Sequence, residues 1–281
     1  MRKFPFLSHE EGFVSDPHSR TTLRDLWQAR HIVTQLMWRD LTVRYRQTWL
    51  GWLWAVFSPL MNLAMYYLVF GLLVRLNPPD YSVPYALVLL SGLLVWMLFQ
   101  STVNAVADSL LNNIHLVKKI YFPRTVLTLA GTGVSLGDFA IALVLFVLLA
   151  ATVGLPPSLA KMPLLLLCTA LVAMSGWGLG CLLAVAKLRF RDVRHAMPLL
   201  MQSLFYATPV VWTPGLLSPR LQDLLALNPL YGLVTLFRFA LLDGPLPPVL
   251  HLVWSVVGCV VIAVCGYRFF ICYEAKVIDR E

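Results

Sequence analysis

Phosphate chemistry is the first possibility the residue types raise. A nucleotide-hydrolysing loop needs GxxxxGK[ST], so that backbone N–H groups and one lysine hold the phosphates. The six lysines stand at 3, 118, 119, 161, 187 and 276, and none follows a glycine. HExxH and GxGxxG do not occur either. The six histidines show no metal-ligand spacing. The five cysteines, Cys168, Cys181, Cys259, Cys265 and Cys272, are odd in number and form no CxxC pair. They read as small apolar side chains of a core. Gly176, Gly178 and Gly180 in SGWGLGC, and the GxxxG of Gly133 and Gly137, lie in apolar runs, where small residues let helices approach closely. Asp138 is the one ionisable residue deep in an expected span. A lone carboxylate there must face protein or water, be protonated, or have a partner. A hydrogen bond to Ser135, Thr132 or another helix is the expected arrangement, since an ion relay would place such groups in several stretches. The chain therefore shows no energy-converting site of its own.

The elements that carry these residues are set by apolarity. The 281 residues are 59% hydrophobic and 13% charged, against about 45–50% and about 25% in soluble domains. Trp49–Val74, Tyr81–Ala107, Met162–Ala186, His195–Pro219 and Gly244–Tyr267 contain no Asp, Glu, Lys or Arg, and Thr125–Ala160 carries only Asp138. A span needs about 20 mainly apolar residues. The expected fold is an all-α integral membrane protein with six transmembrane helices, over 49–74, 84–107, 125–153, 163–186, 196–213 and 249–271. No cleavable signal peptide is read at MRKFPFLSHEEGF, which has neither an apolar core nor a small-residue cleavage site.

Charge asymmetry orients these spans. With both termini inside, the inner segments hold 18 of the Lys and Arg residues and the outer ones hold Arg75, Lys161, Arg220 and Arg238, as the excess of cations in cytoplasmic loops requires. The apolar stretch 221–242 would make a seventh span and break this pattern. Asn228-Pro229 and Arg238 interrupt it, so it reads as a re-entrant outer hairpin between spans five and six, packed on protein or a watery cavity. Residues 22–47 read as an N-terminal amphipathic interfacial helix, with Leu26, Ala29, Val33, Leu36 and Met37 on one side and Arg24, Arg30, Arg39 and Arg44 on the other. Residues 1–21 form a flexible cytoplasmic tail, 48–273 the transmembrane permease domain and 274–281 a cytoplasmic C-terminal tail. A permease driven by a separate ATPase, a passive channel and a structural membrane subunit all fit these features.

Four stretches narrow the choice. RYRQTWLGWLWAVFSPL (44–60) resembles the start of the first span in permease subunits of polysaccharide and polyol phosphate ABC exporters of the O-antigen type. KKIYFPRTVLTLAGTGVSLGDF (118–139), with its Phe-Pro-Arg, is similar to that family's segment after span two. KLRFRDVRHAMPLLMQSLFYATPVVW (187–212), with its Arg-Asp-x-Arg, resembles the stretch between spans four and five, and LNPLYGLVTLFRFALLD (227–243) the outer re-entrant segment. The resemblance implies the transmembrane half of an inner-membrane exporter of a lipid-linked glycan, O-antigen first, with capsular polysaccharide or teichoic acid as close variants. A drug or small-lipid exporter and a membrane-embedded transferase are the more distant alternatives. It implies a second copy of the chain and two copies of an ABC nucleotide-binding subunit, which holds the ATP and magnesium; this chain holds no cofactor, and no nucleic acid is a partner. It also implies that the ATPase grips a short cytoplasmic helix. DSLLNNIHLVKKIYFPR (108–124) is the candidate, through His115, Lys118, Lys119 and Tyr121, although an ordinary positive-inside loop has the same composition.

Given a glycan, the aromatic residues acquire a role, because rings stack on the C–H faces of sugars and Tyr and Trp add donors. Trp49, Trp52, Tyr66 and Phe70 fall close to one helical face of span one, Phe205, Tyr206 and Trp212 cluster in span five, and Tyr231 lies in the re-entrant segment. These are the candidate channel lining. Trp49 and Trp212 fit an interfacial aromatic belt equally well. The family's glycans are built on an isoprenoid pyrophosphate, which Arg39, Arg44 and Arg46 suit; the same arginines suit anionic membrane phospholipids.

Overall fold

The computed structural model describes residues 29–46, 48–114, 123–156 and 158–278. Among them every regular element is helical. In chain order these are α1 (Arg30–Arg46), α2 (Leu53–Tyr66, continued by a π-helical segment Tyr67–Leu73), α3 (Tyr85–Asn112), α4 (Thr125–Thr152), α5 (Met162–Arg189), α6 (Asp192–Ala207), α7 (Pro219–Leu225), α8 (Pro229–Leu242) and α9 (Val249–Ile278). Prolines open four of them. Pro84 precedes α3, Pro163 lies in the first turn of α5, and Pro219 and Pro229 begin α7 and α8, positions where the missing N–H costs nothing. Asn228 caps α8, its side-chain oxygen accepting from Leu230 N at 3.0 Å.

Five helices are long and apolar enough to cross a bilayer: Leu53–Leu73, Tyr85–Asn112, Thr125–Thr152, Leu159–Arg189 and Val249–Tyr273. Each lies over an expected span, with ends shifted by a few residues. α6 differs. It has 16 residues, a rise of about 24 Å at 1.5 Å per residue, short of the roughly 30 Å of hydrocarbon. Residues 208–213, expected as its outer end, form an irregular turn in which Thr208, Val210, Val211 and Thr213 are buried. α7 and α8 are bent by 110° to each other, so the stretch containing 221–242 is broken at Asn228-Pro229, as its proline requires.

α3 is the mast of the bundle. Leu87 to Val95 are all buried, and α3 packs against α4 and α5, while α5 packs against α9. The glycines of α5 make this possible. A Cβ at Gly178 would stand 2.4 Å from Ala263 Cα on α9, and one at Gly180 would meet Val106 of α3 at 2.6 Å. Gly133 and Gly137 serve α1 in the same way, since Met37 and Leu41 lie over them. Cys168, Cys181 and Cys259 are buried as expected, but Cys265 and Cys272 are exposed on α9, which turns only one side to the bundle.

α2 is held thinly. Only Ala55 and Pro59 of it are buried, and none of the π-helical residues are. Pro59 lies inside the helix, but the change of winding comes later, at Tyr67, whose ring occupies the space a Cβ on Gly71 would need. At its start, Gly51 takes a left-handed φ of +51° and residues 48–52 form a turn. Trp49 and Trp52 therefore precede the helix and do not share a face with Tyr66 and Phe70.

Candidate functional site

A groove of about 1080 Å³ lies between α1, α2, α3 and α4. Its walls are unusually polar for membrane-spanning helices. Ser58 and Asn62 come from α2, Gln100, Ser101, Asn104 and Asp108 from α3, and Ser135 and Asp138 from α4. A smaller cavity of about 190 Å³ between α3, α5 and α6 shares Gln100 and Asn104, and adds Lys187 and Arg194.

The ionisable groups of the groove are paired. Asp138 accepts hydrogen bonds from Arg44 Nη1 and, at 2.6 Å, from Tyr45 Oη, both on α1. The expected partner on another helix is thus found, while Ser135 bonds Ser101 and Gly131 O, and Thr132 bonds Thr128 O. Burial, followed by the bond to Asp138, pushes the Tyr45 phenol well above its ordinary value. Arg39 donates to Asp40 and to Asn113 at 2.8 Å. Lys187 donates to Asp108 at 2.7 Å across α3 and α5. Of the three arginines read as a pyrophosphate site, Arg39 and Arg44 are engaged by carboxylates. Arg46 is exposed with no partner among the described residues.

The aromatic candidates divide into groups. Tyr66 lies 5.0 Å from Phe205 and 6.4 Å from Phe70, and Phe205 lies 5.3 Å from both Tyr206 and Trp96. The rings of α2 and α6 thus meet over Trp96 of α3, with Tyr206 55% exposed beside them. Trp49 is 98% exposed, away from this cluster, and Trp52 stacks on Tyr45 at 4.6 Å. Trp212 donates to Tyr206 O at 3.1 Å and lies 6.2 Å from Tyr231. Tyr231 is 1% exposed, packed between Trp212 and His251. His115, Lys118, Lys119 and Tyr121 lie outside the described residues.

Two features escaped the sequence reading. Arg238 of α8 is 0% exposed and has no carboxylate within ion-pairing distance among the described residues. It donates to Val88 O (3.2 Å), Ser91 Oγ (3.4 Å), Trp212 O (3.3 Å) and Val210 O (2.7 Å). The guanidinium fastens the turn after α6 to α3, close against Gly92, where a Cβ would strike Val210 O. Its signal was a cation inside an apolar run. The second feature is the amide row of α3, whose signal was the i, i+4 pair Gln100 and Asn104 on one helix face.

Apolar helices around an aromatic and amide-lined groove make this a multi-pass membrane protein. Residues 32–242 match the ABC-2 type transporter family, and the chain belongs to it. Among curated proteins it is similar to the O-antigen export system permease protein RfbA of Klebsiella pneumoniae, at 27% identity over 241 residues, 82% of this chain and 90% of that protein. The RfbA of Myxococcus xanthus is 29% identical over 229 residues, 80% of this chain and 85% of the relative. The polysialic acid transport protein KpsM of Escherichia coli is 25% identical over 220 residues, covering 75% and 81%. The resemblance read from the four sequence stretches is borne out.

Proposed function

We propose that the chain is the transmembrane half of an ATP-driven exporter that moves a lipid-linked polysaccharide across the cytoplasmic membrane. O-antigen is the preferred glycan, in line with the RfbA relatives. The observation that carries the reading is the joined aromatic face of α2 and α6, left open on a helix that buries almost nothing in its own subunit. In a dimer, two such faces enclose a passage lined by Tyr66, Phe70 and Tyr206, with Phe205 buried behind them. Trp49 and Trp52 stand at its cytoplasmic side and Trp212, backed by Tyr231, at its outer side.

Six spans, with α6 and the turn after it as the fifth and α7–α8 as the re-entrant hairpin, fit the 18-to-4 charge split with both termini in the cytoplasm. α1 then lies along the inner interface, and Arg46 is the arginine free to meet a pyrophosphate. ATP and magnesium belong to a separate nucleotide-binding subunit, two copies of which grip segment 108–124 through His115, Lys118, Lys119 and Tyr121. The KpsM relatives favour capsular polysaccharide as the second reading.

The test is co-purification with that ATPase and measurement of ATP hydrolysis with candidate lipid-linked glycans. Stimulation by an isoprenoid-linked glycan is expected. A subunit that neither binds an ATPase nor responds to any such glycan would overturn the reading.

A further inference from the structure

The groove has a chemistry of its own that narrows the glycan. We propose that it binds an uncharged, hydroxyl-rich stretch of the chain in transit and disfavours an anionic one; this rests on the exporter reading above.

Asn62 is exposed in the middle of its span and Asn104 in the last third of α3. Asn62 uses one N–H on Ser58 O at 2.9 Å, which leaves its carbonyl oxygen open. Asn104 makes no hydrogen bond among the described residues. Gln100 accepts from Trp96 Nε1 at 3.0 Å, and its amide N–H groups have no partner there. Leaving such groups against hydrocarbon costs several kcal/mol each, so the groove holds water or a polar ligand and not acyl chain. An isoprenoid tail offers these amides nothing. A sugar hydroxyl both donates and accepts, and so meets a free carbonyl and a free N–H equally.

Charge makes the second cut. The carboxylates facing the groove, Asp40, Asp108 and Asp138, are each held by Arg39, Lys187 and Arg44. Among the described residues the groove therefore offers no unpaired cation to a sialic or uronic acid, whose carboxylate would lose water there without compensation. Arg194, exposed at the start of α6, lines the smaller cavity and not the groove. Tyr66 and the exposed Trp54 supply ring surface for the C–H faces of a sugar. At about 1080 Å³ the groove reaches the upper end of the roughly 300–1,000 Å³ typical of pockets for drug-sized ligands, room for more than one sugar residue.

The experiment uses the complex with its ATPase in lipid nanodiscs. Tryptophan fluorescence, to which Trp54 and Trp96 of the groove contribute, is followed during titration with a neutral mannan fragment and with an oligosialic acid of matched length. The neutral oligomer is expected to give a saturable change at least tenfold tighter than the anionic one. Asn104→Leu and Gln100→Leu should each weaken it about tenfold, and Asn104→Lys should shift preference toward oligosialic acid. That shift is a readout that a merely structural role would not produce. Tighter binding of oligosialic acid to the unmodified protein would overturn the proposal, and so would unchanged affinity in both leucine variants. Repetition with a different phospholipid separates a lipid headgroup, because loss of the sugar signal there would assign the groove to lipid. Assembly with the ATPase and basal ATP hydrolysis, read in the same unmodified preparation, fail only if the exporter reading fails.

Discussion

Arg238 and Asp138 solve the same problem in opposite ways. Asp138 is 23% exposed and meets an arginine that is itself 52% exposed, a pair with water at hand. Arg238 is fully buried, and among the described residues it meets only carbonyl and hydroxyl oxygens spread over the planar fork of a guanidinium. Removing it leaves buried acceptors unpaired, each at about 1–3 kcal/mol. Arg238→Met is therefore expected to lower stability by at least about 2 kcal/mol, and Arg238→Lys not to rescue it, since an ammonium cannot span α3 and the turn after α6 together. Thermal unfolding in detergent, read by fluorescence or size-exclusion recovery, measures both. For the exposed pair, a double-mutant cycle of Asp138→Asn with Arg44→Gln should give a coupling near the roughly 0.2–1 kcal/mol of surface ion pairs. The sequence showed that Asp138 needed a partner, but not which one. Arg44 lies on a different helix, and the register of α1 on α4 is set by Met37 and Leu41 over Gly133 and Gly137.

At the scale of helices, apolar runs located five spans well because lipid demands the same composition along the whole length of a crossing. They misled at α6. The charge-free run His195–Pro219 continues past the end of the helix because residues 208–213 are buried in protein, not because they face lipid. Pro209 and Pro214 were the local sign of a turn. The aromatic face of span one was misjudged for a related reason: periodicity was carried through Gly51, whose left-handed φ ends any common helical frame. The packing of α5 on α9 was legible in SGWGLGC and offers a clean test. Gly178→Ala puts a methyl against Ala263 backbone and should cost about 1–3 kcal/mol by forcing the helices apart. Gly154→Ala, which meets no neighbouring atom but sits at φ +77°, is the contrasting strain control. Both are measured by the same unfolding assay.

At the scale of the assembled transporter, the predictions concern coupling and passage. Reversing the charge of Lys118 and Lys119 to glutamate should abolish ATPase assembly or glycan-stimulated turnover by tenfold or more, with membrane insertion intact on a protease-protection gel. Tyr206→Ala should reduce export of long chains several-fold while leaving ATPase assembly unchanged, as read by glycan length on a gel. The family was legible from four short stretches because they mark where the chain turns at the membrane faces. The groove was not, since its walls come from four helices whose mutual rotation no linear pattern records. One consequence reaches beyond the glycan. A passage that admits hydrated sugar would also admit sodium ions and protons, and would short-circuit the potential across the membrane. Arg238 buries a guanidinium behind the turn after α6, in surroundings of low dielectric where its field carries far. In the exporter proposed above, small cations would meet that field as a barrier, as they do at the arginine of water-selective pores, while an uncharged sugar would pass it unopposed.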